Sequence, residues 1–244
     1  MRYQILALIA FNHLAAAYGL LHADPTWLIL SAMGLILINK IGGEIGLHRY
    51  FCHRSFATSR FGHYLMLAMA CLCCIGPPIA WVGMHRMHHK YSDTDMDPHG
   101  NLPAWRVWLT AWRPVVIEKR LLVDLLQDPA HMFVYRWYMW LIAAVYISLA
   151  LICWQIPVFL ISIPSVLTFH FAGLVNTVCH TTGHKPHDTN DRSHNNRLVN
   201  LLTWGSGLHN THHAFPNRWD NRINPGDIDI PAVIIARFFI KRTR

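Results

Sequence analysis

Apolar residues arrive in four long runs, at 3–21, 27–47, 137–154 and 157–179, separated by stretches of much more polar sequence. Each run is close to the roughly 20 residues an α-helix needs to cross a hydrocarbon layer. The links inside each pair, at 22–26 and around 154–156, are only a few residues long, so the pattern predicts two helical hairpins and four crossings. The polar segments 48–136 and 180–244 follow the hairpins. A shorter apolar run, 64–75, stops at Gly76-Pro77-Pro78 after about a dozen residues. That length predicts an interfacial or cap helix and no fifth crossing.

Composition supports the pattern. With 53% hydrophobic and 14% charged residues over 244 positions, the chain is too apolar for an ordinary soluble domain and suits a single membrane domain covering 1–244. Of the 21 lysines and arginines, all but Arg2 and Lys40 lie in the two polar segments, and the hairpin links carry none. Positive charge stays inside, so the polar segments and both termini are expected on the cytoplasmic face, in a bacterial cell that of the inner membrane. The first run is too long for a cleavable signal and reads as a retained helix. The six cysteines are expected to be buried free thiols. The basic tail 241–244 is expected to contact anionic lipid headgroups, and nothing points to nucleic acid.

Histidine supplies the chemistry. Nine of the 18 histidines fall into four constellations: His48 with His53, then His85, His88 and His89, then His180, then His209, His212 and His213. The second and fourth read HxxHH. On a helix, positions i, i+3 and i+4 share one wedge of surface, so the three rings of each cluster project toward a common region. His48 and His53 are five apart, which predicts His48 at a helix end and His53 just beyond it. The topology puts all four constellations on one side of the membrane. The only glutamates are Glu44 and Glu118, and neither begins a Glu-x-x-His, so a carboxylate-bridged di-iron bundle is excluded. Nine imidazoles exceed what one ion can hold. Two ions with four or five ligands each would retain open positions, and neutral imidazole suits iron, zinc, copper or nickel. Asp93, Asp95 and Asp97 are candidates to accept hydrogen bonds from the ligand rings, and His63, His99, His131, His184, His187 and His194 read as surface side chains.

The motifs HRYFCHRS at 48–55, WVGMHRMHHKYSDTDMDPH at 81–99, VNTVCH at 175–180 and SGLHNTHHAFP at 206–216 resemble, in order and spacing, the membrane fatty-acid desaturases of the stearoyl-CoA type. The match covers about three quarters of the chain. The resemblance implies an all-α integral membrane protein, its two transmembrane hairpins topped by a helical cytoplasmic cap that carries a histidine-rich di-iron site. It implies that His48, His53, His85, His88, His89, His180, His209, His212 and His213 are the ligands of two irons. Asn176 matches the family's asparagine that holds a metal-bound water, and Trp81 the tryptophan at the bend of the substrate tunnel.

The implied activity is the dioxygen-dependent insertion of a cis double bond into a fatty acyl chain, with acyl-CoA first among the carriers. Removing hydrogen from an unactivated methylene needs an oxidant that redox-active irons can form and zinc cannot. Electrons are expected from a separate protein such as a ferredoxin or cytochrome b5. Ile75-Gly76 and Ala172 stand where vertebrate stearoyl-CoA desaturases have a Gln-Asn pair and a threonine, which leaves bond position and carrier open. Two rival classes are a hydroxylase or ketolase using the same cluster, and a non-enzymatic zinc or nickel carrier. The carrier would need a polar path through spans that offer only scattered candidates such as Asn12, His13 and His170.

Overall fold

The computed structural model describes residues 2–99, 104–110 and 115–240, and their regular structure is helical. The basic tail 241–244 lies outside them. Helix α1 is Arg2–Leu21 and α2 is Pro25–Cys52; α3 is Arg60–Cys71, α4 Pro78–Tyr91 and α5 Ala104–Thr110. The second hairpin is α6, Pro129–Ile152, with α7, Gln155–Val178. Then come α8, Arg197–Thr203, α9, His209–Ala214, and α10, Ile230–Phe239. Helices α1, α2, α6 and α7, at 20, 28, 24 and 24 residues, are long and apolar enough to cross a membrane.

The chain chemistry sets where these helices begin. Asp24 accepts from the Thr26 and Trp27 N–H groups at 2.8 and 3.1 Å ahead of Pro25, and Asp128 accepts from Ala130 N–H at 2.8 Å ahead of Pro129. Carboxylate caps followed by proline satisfy free N–H groups and preset the first helical φ. The second cap starts α6 eight residues before the expected 137. The early start overturns the reading of His131 as a surface side chain: it lies in the first turn of α6 and is buried. From Leu35 onward α2 winds with the wider i→i+5 bonding of a π-helix and runs on to Cys52, past the expected end at 47. Helix α3 has 12 residues, well short of a crossing. All six cysteines are unpaired, five of them buried.

The chain divides into two compact units. The first comprises Met1–Leu47, Tyr64–Trp81 and Leu122–Phe169; the second comprises His48–His63, Val82–Leu121 and His170–Arg244. In the first unit the backbones pack too closely for side chains to intervene. A Cβ on Gly34 would lie 2.2 Å from the Leu160 carbonyl of α7, and one on Gly42 would lie 2.4 Å from the Met69 carbonyl of α3. Small residues at helix crossings and interhelical hydrogen bonds replace the hydrophobic drive that lipid removes. Asn39 donates to Thr168 Oγ1 at 3.2 Å, and the Tyr146 hydroxyl donates to Asn12 Oδ1 at 2.6 Å. His13 Nδ1 donates to the Ile9 carbonyl of its own helix at 2.8 Å.

Candidate metal centre

All nine histidines of the four constellations fall in the second unit. Helix α2 carries His48 in its last turn, and His53 follows just after the helix end, as the five-residue spacing predicted. The wide winding brings the two together: His53 N–H donates to the His48 carbonyl at 3.1 Å, and their ring centroids are 5.0 Å apart. Helix α4 presents His85, His88 and His89, and α9 presents His209, His212 and His213. His180 lies two residues beyond α7.

Between the histidines of α9, the buried Asn210 and Thr211 fasten the helix to the loop before it. Asn210 accepts from His187 N–H at 2.9 Å and donates to the His187 carbonyl and to the Thr189 and Ser193 hydroxyls. Asn195 clasps Thr211, donating to its hydroxyl at 2.8 Å and accepting from its N–H at 3.1 Å. With those two residues committed to the loop, the HxxHH face is left to the other rings.

The nine sort into two groups able to hold a metal ion: His48, His53, His85, His89 and His212, and His88, His180, His209 and His213, with the ligand atoms of each group within 4.8 Å of one another. In the first group the Nε2 atoms of His48 and His212 are 2.9 Å apart, those of His89 and His212 3.0 Å, and those of His85 and His89 3.2 Å. In the second, the Nε2 atoms of His180 and His209 are 2.9 Å apart. Metal–nitrogen bonds of about 2.1 Å at right angles put neighbouring ligand nitrogens ~3 Å apart, so the spacing fits ligands on a shared ion. The two groups adjoin, with the rings of His89 and His213 at 4.4 Å.

Unsatisfied atoms support the same fit. Nε2 of His53, His88 and His213 is buried with no hydrogen-bond partner, a cost that a bound cation would remove. Burial, reinforced by the neighbouring rings, holds His53, His85, His89, His209 and His212 well below 6.5. Burial also lowers His213 to about 4 even though Asp191 opposes the shift. These rings are therefore neutral at pH 7, the state in which imidazole ligates a metal.

Carboxylates back three of the four rings in the second group. Nδ1 of His88 donates to Asp97 at 2.9 Å, that of His180 to Asp93 at 3.1 Å, and that of His213 to Asp191 at 2.6 Å. Each bond places the proton on Nδ1 and leaves Nε2 able to bind a metal. Burial alone would raise the carboxyls of Asp93 and Asp191, but the bonds from His180 and His213 outweigh it and keep both below the usual carboxylate range. Asp93 and Asp97 were legible as candidates. Asp95 is exposed. Asp191 was missed, because it lies 22 residues from His213 and no local spacing connects them.

The other named residues fall outside the two groups. Trp81 is half-buried on α4, one turn before His85, and Asn176 is half-buried in the last turn of α7, with no side-chain hydrogen bond among the described residues. His170 accepts from Trp108 Nε1 at 3.2 Å. His99 is not the surface side chain its polar segment implied: the Asp97 turn, in which Asp97 accepts from His99 N–H at 2.8 Å, folds it in beside His88, and burial lowers it to about 4. His184 is exposed, and His63, His187 and His194 are half-buried. A cleft of about 820 Å³ lined by Lys90, His187 and Asp191 opens onto His89 and His213, one ring from each group.

Comparison with known proteins agrees with this geometry. The family model described as fatty acid desaturase matches residues 25–222. The chain is 34% identical over 214 residues to the sn-1 stearoyl-lipid 9-desaturase of Anabaena variabilis, covering 83% of this chain and 78% of that one. It is 34% identical over 211 residues to the sn-1 stearoyl-lipid 9-desaturase of Synechocystis sp., covering 83% and 66%, and 34% identical over 185 residues to the acyl-CoA C20 Delta5-desaturase of Anemone leveillei, covering 71% and 58%. Against these last two the chain spans less than two thirds of the relative's length. The chain belongs to the fatty acid desaturase family. With its four long apolar helices, it is a membrane protein of that family.

Proposed function

We propose that the chain is a single-domain desaturase that inserts a cis double bond into a fatty acyl chain, with two irons held by His48, His53, His85, His89 and His212 on one side and by His88, His180, His209 and His213 on the other. The observation that carries this reading is the sorting of nine buried or half-buried imidazoles into adjoining groups of five and four, in a chain of this family. The irons, when bound, supply the dioxygen chemistry that removes hydrogen from an unactivated methylene, for which zinc has no redox state.

The protein's own residues do the rest. Asp93, Asp97 and Asp191 hold the Nδ1 protons of His180, His88 and His213 and so fix which nitrogen faces the metal. Asn176 orients water beside His180, and Trp81 shapes the acyl path one turn from His85. Two electrons per turnover come from a separate electron-transfer protein, a ferredoxin or cytochrome b5, on the cytoplasmic face where the polar segments lie, in a bacterial cell at the inner membrane. The named relatives act on lipid-linked and on coenzyme A-linked chains at the same 34% identity, so the substrate class proposed is the saturated acyl chain, on either carrier.

The test is gas chromatography–mass spectrometry of lipids from a bacterial host that expresses the chain, with and without oxygen. A new cis-monounsaturated acid that needs oxygen is the expected result. A hydroxylated acid in its place would transfer the chain to the hydroxylase class.

A further inference from the structure

The last carbonyls of a helix have no partner within it and must find one outside. At the end of α2, the carbonyls of His48, Arg49 and Tyr50 accept from the N–H groups of His53, Ser55 and Arg54 at 3.1, 2.9 and 3.1 Å. The carbonyls of Phe51 and Cys52 are met from another motif. Arg86, between His85 and His88 on α4, donates NH2 to Phe51 at 2.6 Å, Nε to Cys52 at 3.0 Å and NH1 to the Leu121 carbonyl at 2.5 Å. The chain then turns away through Arg54, at φ 50, in the left-handed region.

We infer that Arg86 is a positioning residue that locks the His48/His53 motif to the His85/His89 motif and so sets the geometry of the first metal group. The inference rests on the proposed two-metal reading. A planar guanidinium forks onto two successive carbonyls and fixes both distance and orientation, whereas an ammonium is a point charge on a flexible stem and imposes no such plane. A positive charge at a helix C-terminus is also favoured by the helix dipole. The bonded carbonyls immediately precede His53, so releasing them frees that ring, and the fork departs from the residue next to His85. The second group takes its orientation from a different set of side chains, Asp93, Asp97 and Asp191. Loss of Arg86 should therefore weaken one metal and spare the other.

The test uses the purified full-length protein in detergent, loaded anaerobically with ferrous iron and titrated with a chelator. In Arg86→Gln one of two irons should be lost at ~10–100-fold lower chelator concentration, the usual effect of removing a group that orients a ligand. Arg86→Lys should lie between wild type and Arg86→Gln. Combined variants exclude a general loss of stability. Arg86→Gln should add little in a His53→Ala background, where the first group is already broken, and should strip the remaining iron in a His209→Ala background. Equal weakening of both irons, retention of both, or the same effect in the two backgrounds overturns the inference. A wild-type chain that binds no iron overturns the two-metal reading and this inference with it.

Discussion

Alanine at any one of His48, His53, His85, His88, His89, His180, His209, His212 or His213 should reduce unsaturated product to background. Each substitution removes one nitrogen from a group of five or four whose ligand atoms lie within 4.8 Å, and leaves a buried site short of a ligand. The iron remaining should follow the grouping. Variants at His48, His53, His85, His89 and His212 should lose the first iron preferentially, and variants at His88, His180, His209 and His213 the second. His184 is exposed and belongs to neither group, so His184→Ala should retain both iron and product. Lipid analysis and metal analysis on the same membranes read both effects. If His184→Ala proved as damaging as His180→Ala, the placement of the centre beyond α7 would be wrong.

The second large effect is expected at residues that touch no metal. Asp191→Asn keeps an oxygen near His213 Nδ1 but removes the carboxylate charge from it, and Asp97→Asn removes the carboxylate charge from beside His88 Nδ1. Each should lower the affinity for the second iron by ~10–100-fold and leave the first near wild type. Asp93→Asn should be at least as costly, because Asp93 also accepts from Arg192 N–H at 2.6 Å and ties the loop at 192 to His180. Anaerobic iron titration separates the two sites. An Asp191→Asn variant that loses both irons equally would mean that Asp191 serves the fold of the loop and not the His213 ring.

What the sequence made legible follows from how local each signal is. The four apolar helices were readable because lipid imposes a length, and the HxxHH clusters because i, i+3 and i+4 share a helix face. The early start of α6 was signalled by Asp128-Pro129, but the aromatic-rich turns after it hid the join between polar segment and span. The division of nine histidines into five and four was not readable, since α4 contributes His85 and His89 to one group and His88 to the other, and α9 sends His212 one way and His209 and His213 the other. The same holds for Asp191 with His213 and for Arg86 with Phe51 and Cys52. Those pairs are made by tertiary folding of the second unit, and no spacing within a single motif encodes them.

The most direct test of the account is metal analysis of the purified, active wild-type protein. Two irons per chain, in preparations whose activity rises in proportion to iron, is the result the two groups of imidazoles require. One metal per chain, or full activity with zinc that iron cannot replace, would contradict it.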